Sequence, residues 1–165
     1  MVKKTPQKTN AARCLDKLGL PYELVSYTPG PALSAAEAAD FLGLPYAAVF
    51  KTILLRGEPE GLMEACIPAD AELDLKALAA VSGNKRAALV PLKELTPLTG
   101  YLRGGCSPIG GLKNYPVYVD RGIVNCDKIL INAGSRGLML SVKPSDLLKA
   151  TGGILAGLTR AGRIK

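Results

Sequence analysis

Short apolar segments of strand length recur along this chain without regular alternation with helices, and that order constrains its fold most. Strand-like segments run from Tyr22 to Tyr27, Val49 to Leu55, Met63 to Ile67, Ala87 to Val90, Val117 to Val119, Ile129 to Ile131 and Leu138 to Val142. Between them lie a few short helical patterns. Thr9 to Leu18 places Ala11, Cys14, Leu15 and Leu18 on one helical face, with Gly19 to end it. Ser34 and Glu37 have the spacing of a capping box, opening a helix that runs to Leu42 and stops at Gly43. Asp74 caps a helix through Val81, and Pro144 suits the first turn of one through Lys149. Such a series predicts a mixed α/β (α+β) domain, with a curved, barrel-like mixed sheet flanked by short helices.

The 165 residues amount to one domain, long enough to bury a core. Aromatics make up 5% and tryptophan is absent, so that core must be aliphatic. No apolar run approaches the roughly 20 residues that span a bilayer, so a cytoplasmic protein is expected. Four cysteines (Cys14, Cys66, Cys106, Cys126) form no close pair, and there is no histidine. A zinc site is therefore not expected, and neither is any cofactor or metal. Ser-His-Asp and Cys-His machinery is excluded outright. Chemistry must come from lysine, carboxylates, backbone amides or the substrate itself.

The formal charge of +7 is unevenly spread. Residues 1–15 carry +4, residues 16–82 carry −6, residues 83–136 carry +5 and residues 137–165 carry +4. A basic second half suggests a face for a polyanion, although basic tails can also serve solubility alone. The tails, with Lys3 and Lys4 at one end and Arg160, Arg163 and Lys165 at the other, are expected to be flexible and to add phosphate contacts.

Four segments are candidates for chemistry. In Val49–Leu55, Lys51 is a lone charge in an apolar strand, on the face of Val49 and Ile53 and opposite Phe50 and Thr52. It either points into a cleft as a ligand-binding cation or faces solvent from an edge strand. Thr99–Gly111 holds five glycines in thirteen residues, and successive amides of such a loop can cradle an oxyanion. In Ile131–Gly137, a glycine turn displays Arg136, suited to phosphate or carboxylate. Lys85 and Arg86 follow a helix end, where complementing the helix dipole suffices to explain them. Asp120, after a strand, orients a basic partner or closes a turn. Cys106 has no base to activate it, which favours packing.

Three of these segments, Val-Phe-Lys-Thr, Thr-Gly-Tyr-Leu-Arg-Gly-Gly-Cys-Ser-Pro-Ile-Gly and Ala-Gly-Ser-Arg-Gly-Leu, occur in an order that resembles the YbaK family of aminoacyl-tRNA editing domains. That family is also found inserted in bacterial prolyl-tRNA synthetases. The resemblance covers the chain from about Thr9 to Leu148. It implies one editing domain over residues 1–165 that cleaves the ester between an amino acid and the terminal adenosine of tRNA. Cysteine on tRNA(Pro) is the leading substrate, and a prolyl-tRNA synthetase is an implied partner. A deacylase for alanine or another small amino acid, and a non-catalytic tRNA- or synthetase-binding module, are the alternatives. The family's lysine would be Lys51, and Gly104, Gly105, Ser107 and Pro108 would surround the aminoacyl carbonyl. Tyr27 would line the pocket, with Thr52, Asp120 and Arg136 in support. For cysteine the substrate's own thiol would attack its ester, which suits a chain without histidine.

Overall fold

A computed structural model describes residues 8–160. Five helices and eight strands alternate irregularly along it: α1 (Asn10–Leu18), β1 (Glu23–Ser26), α2 (Ala35–Leu42), β2 (Phe50–Glu58), β3 (Gly61–Pro68), α3 (Leu75–Ser82), β4 (Arg86–Leu89), α4 (Leu92–Thr99), β5 (Val117–Asp120), β6 (Ile129–Ser135), β7 (Leu138–Val142), α5 (Pro144–Thr151) and β8 (Ile154–Ala156). Local chemistry sets the helix ends. Thr9, Ser34 and Asp74 each accept an amide of the first turn through the side chain. Glu37 completes the capping box with Ser34. Glycine in the left-handed conformation ends all five helices, satisfying carbonyls that the last turn leaves open.

The strands form two sheets. β1, β7 and β6 make an antiparallel three-stranded sheet, and the order β4-β2-β3-β5-β8 makes a mixed five-stranded one. In the larger sheet β2 pairs with β3 in a long hairpin that sets Lys51 opposite Ile67 and Thr52 opposite Cys66, while β3 and β5 run parallel. Side chains from both sheets meet α1 in one aliphatic cluster, including Phe50, Val117 and Val119 from the larger sheet and Ile129, Ile131 and Leu140 from the smaller. A second cluster lies under α3 on the other face of the larger sheet, and a third packs α2 against Val49, Leu130 and Met139.

The expected barrel-like sheet is therefore not closed. Among the described residues the two sheets are joined by a single parallel bridge, Val49 to Leu130. Beyond it β2 and β6 each pair within their own sheet. Other expectations need correction too. Leu18 is exposed and Ala12 takes its place in the core, since α1 rests on the sheets along its Ala11-Ala12-Leu15 edge. Arg160 is not in a loose tail: its backbone amide donates to the Glu72 backbone carbonyl and its guanidinium pairs with the Glu72 carboxylate. Lys3, Lys4, Arg163 and Lys165 lie outside the described residues. Two elements escape the sequence reading, α4, which has Pro97 within it, and the short β8, which lacks a long apolar run.

Candidate active site

Residues of β2, β6 and β7, together with the loops around them, line a cavity of about 180 Å³. From β2 come Phe50, Lys51 and Thr52, from β6 Asn132, and from β7 Met139. Leu33, Ser34 and Ala35, at the start of α2, close one side; Gly104 and Cys106 of the glycine loop close another; Tyr27 completes the rim. The lining is divided between apolar surface and a few polar groups, as in sites for small ligands.

Lys51 is half-buried, and burial pulls its ammonium below the ordinary 10.5, an effect that the charge of Asp70 opposes. Its surroundings are drier than water, where a charge acts more strongly on what it faces. Next to it the Thr52 hydroxyl lies 3.8 Å from the Cys66 thiol. The Cys106 thiol is pushed up to about 12, by burial first and by the charge of Glu64 second. It is thus a protonated packing group and not a nucleophile. Burial likewise raises the Tyr27 hydroxyl above its ordinary 10.0.

The loops around the cavity are held by hydrogen bonds within and between them. Asn132 donates from Nδ2 to the carbonyl of Gly104 at 2.9 Å, and its Oδ1 accepts the amides of Gly134 and Ser135 at 2.7 and 3.1 Å. Arg136 donates from Nε to the carbonyl of Arg103 at 2.7 Å. Gly105 lies against this turn so closely that a Cβ there would sit 3.2 Å from the Arg136 amide nitrogen. Gly104, with φ +83°, presses on Leu33, whose own φ of +55° is strained for a leucine. Glu37 holds that strain in place: its two carboxylate oxygens accept the amides of Ala32 and Ser34 at 3.1 and 3.0 Å. Among the described residues the amides of Gly104 and Cys106 donate to no acceptor.

Of the residues singled out by sequence, Tyr27, Lys51, Thr52 and Gly104 line the cavity together. Gly105 and Arg136 stand behind its rim. Ser107, Pro108 and Asp120 do not reach it. Ser107 is buried and its hydroxyl accepts the amide of Ile109 at 3.2 Å. Pro108 faces a separate cavity of about 450 Å³ between α1, the glycine loop and the end of α5. Asp120 is buried, with Oδ1 accepting the Leu158 amide at 2.9 Å and Oδ2 the Gly122 amide at 3.0 Å, so both oxygens are occupied in closing a turn and anchoring the segment just after β8. Leu33, Asn132 and Met139 were not legible in advance. Only Asn132 carried a signal, an asparagine opening an Ala-Gly turn. No cluster of metal-ligating side chains occurs among the described residues.

Residues 29–150 match the family described as the aminoacyl-tRNA editing domain. A protein of Enterococcus faecalis named "Putative Cys-tRNA(Pro)/Cys-tRNA(Cys) deacylase EbsC" is 40% identical over 158 residues, 95% of this chain and 96% of its own length. Two solved structures share the fold. A hypothetical protein, APE2540, superposes with a TM-score of 0.83 at 26% identity, over 92% of this chain and all of its own. "A putative trans-editing enzyme for prolyl tRNA synthetase" superposes with a TM-score of 0.82 at 24% identity, over 94% of this chain and all of its own.

Proposed function

The chain belongs to the aminoacyl-tRNA editing domain family, and from that premise we propose that it removes cysteine misattached to tRNA(Pro), acting in trans. It is an aminoacyl-tRNA deacylase, and the relative from Enterococcus faecalis carries cysteine substrates in its name. The observation that carries the finer reading is the cavity itself. At about 180 Å³ it takes a small amino acid, and it brings Lys51 and two unengaged loop amides to one place.

The chemistry follows from what the cavity holds. The substrate thiol attacks its own ester carbonyl: a carbon–sulfur bond forms, the carbon–oxygen bond to the terminal ribose breaks, and a cyclic thiolactone leaves. The thiol proton ends on the ribose oxygen. In this scheme the protein holds the thiol near its carbonyl and stabilises the oxyanion with Lys51 and the amides of Gly104 and Cys106. The protein's own thiol at Cys106 stays protonated and out of the reaction. Tyr27 and Thr52 bound the aminoacyl group, while Gly105 and Arg136 support the loop. Ser107, Pro108 and Asp120 serve the surrounding fold instead. Delivery of the tRNA by a prolyl-tRNA synthetase fits the same reading. A cytoplasmic site of action fits it too; among the described residues no helix is long and apolar enough to cross a membrane.

The test is release of labelled amino acid from Cys-, Ala- and Pro-tRNA(Pro) by wild type and Lys51→Ala. Rapid release of cysteine alone, reduced about 100-fold or more in the variant with its melting temperature unchanged, is the expected result. Release of alanine instead would reassign the amino acid. Release from none would favour a binding module of the same fold.

A further inference from the structure

In the chemistry above Arg136 only braces the glycine loop and Arg103 has no part, yet the fold puts the two arginines together. Arg103 directly precedes Gly104 of the cavity lining, and Arg136 is tied to the Arg103 carbonyl through Nε. That bond, the Asn132 bond to the Gly104 carbonyl and the close seating of Gly105 on Arg136 fix the backbones of the loop and the turn against each other. Both side chains are exposed. Among the described residues neither meets a carboxylate, whereas Arg56, Arg86 and Arg160 each pair with a glutamate. Glu37, two residues after Ala35 of the cavity lining, has both oxygens engaged by Ala32 and Ser34.

We infer that Arg103 and Arg136 form a phosphate-binding rim, which takes the internucleotide phosphate next to the terminal adenosine of the tRNA. The inference rests on the deacylase reading and deepens it. In that reading an ester carbonyl sits in the cavity beside Gly104, and the next charged group beyond its ribose along the tRNA strand is a phosphodiester. Guanidinium groups suit it because they stay charged at all relevant pH and offer paired donors to phosphate oxygens. Arg136 spends only Nε on the loop, leaving its two terminal nitrogens for a ligand. The Arg103 side chain makes no hydrogen bond within the described residues, so its removal takes away charge without loosening the loop.

The experiment compares two substrates, cysteinyl-tRNA(Pro) and cysteinyl-adenosine, which carries the same ester and no phosphate. Arg103→Ala is expected to lower kcat/KM on the tRNA about 10-fold at low salt, chiefly through KM. On the adenosine ester its kcat/KM should fall far less, so the ratio between substrates collapses. The slope of log kcat/KM against log salt should flatten by about 0.7, the amount for one single-strand phosphate contact. Arg121→Ala, an exposed arginine on the β5–β6 connection, should keep the wild-type ratio. Arg136→Ala also removes the Nε bond and should weaken cleavage of both esters; Arg136→Lys should retain part of the activity on tRNA. An unchanged salt slope and ratio in Arg103→Ala overturns the inference. Equal losses on both substrates also overturn it, placing Arg103 at the reacting ester. If wild type cleaves neither ester, the deacylase reading itself falls, and the phosphate rim with it.

Discussion

Glu64 offers a sharp test of the electrostatics beneath the glycine loop. Its side chain sits on β3, two residues before Cys66, with 5% of its surface exposed and no hydrogen-bond partner among the described residues. Burial raises its carboxyl from the ordinary 4.5 to about 7. The groups whose ionisation it influences are Cys66 on the same strand and Tyr101 and Cys106 of the glycine segment. The folded chain holds the Glu64 proton more tightly than the unfolded chain does. Stability contributed by neutral Glu64 is complete below pH 4.5 and is lost as pH rises from 4.5 to about 7; above that both states are ionised and the loss is constant. At about 1.4 kcal/mol per pH unit, the full loss is on the order of 3 kcal/mol. Glu64→Gln keeps the shape and removes the titration. Measured by urea unfolding with linear extrapolation, wild type should lose about 3 kcal/mol relative to Glu64→Gln between pH 4.5 and pH 8. If the two stability profiles run parallel across that range, Glu64 does not ionise in a dry site and the reasoning is wrong.

Other perturbations probe the frame around the cavity. Gly110→Ala should destabilise by about 3 kcal/mol, because φ is +75° and the new Cβ would lie 2.8 Å from the backbone of Asn10 and Ala11 at the start of α1; thermal unfolding would show it, and an unchanged melting temperature would refute it. Asp120→Ala should cost about 1–3 kcal/mol by orphaning the amides of Gly122 and Leu158, while kcat/KM per folded molecule stays near wild type; a selective loss of turnover would return Asp120 to the site.

Much of this molecule is legible in local sequence. The caps at Thr9, Ser34 and Asp74, the glycines that end helices and the apolar strand segments depend on neighbours a few residues apart, so short-range rules suffice for them. The lone lysine of β2 and the loop around Gly104 are visible for the same reason: a charge in an apolar strand, and glycines crowded together, conflict with ordinary packing. Beyond that range the rules fail. α4 contains a proline that argues against a helix, and β8 is three residues whose pairing with β5 only the assembled sheet supplies.

By itself, then, the sequence determined the types and order of the elements other than α4 and β8, the aliphatic core and the residue kinds able to do chemistry without histidine. Tertiary structure decided that the strands divide between two sheets, that among the described residues these sheets are bridged between Val49 and Leu130, and that residues of β2, β6 and β7 line one cavity. It also decided which way each polar group turns, drawing Leu33, Asn132 and Met139 to the cavity and leaving Ser107 and Asp120 to satisfy buried amides elsewhere. The physical reason is distance along the chain. Gly104 lies 28 residues from Asn132 and Leu158 lies 38 from Asp120, and only the assembled fold brings such partners within hydrogen-bonding reach.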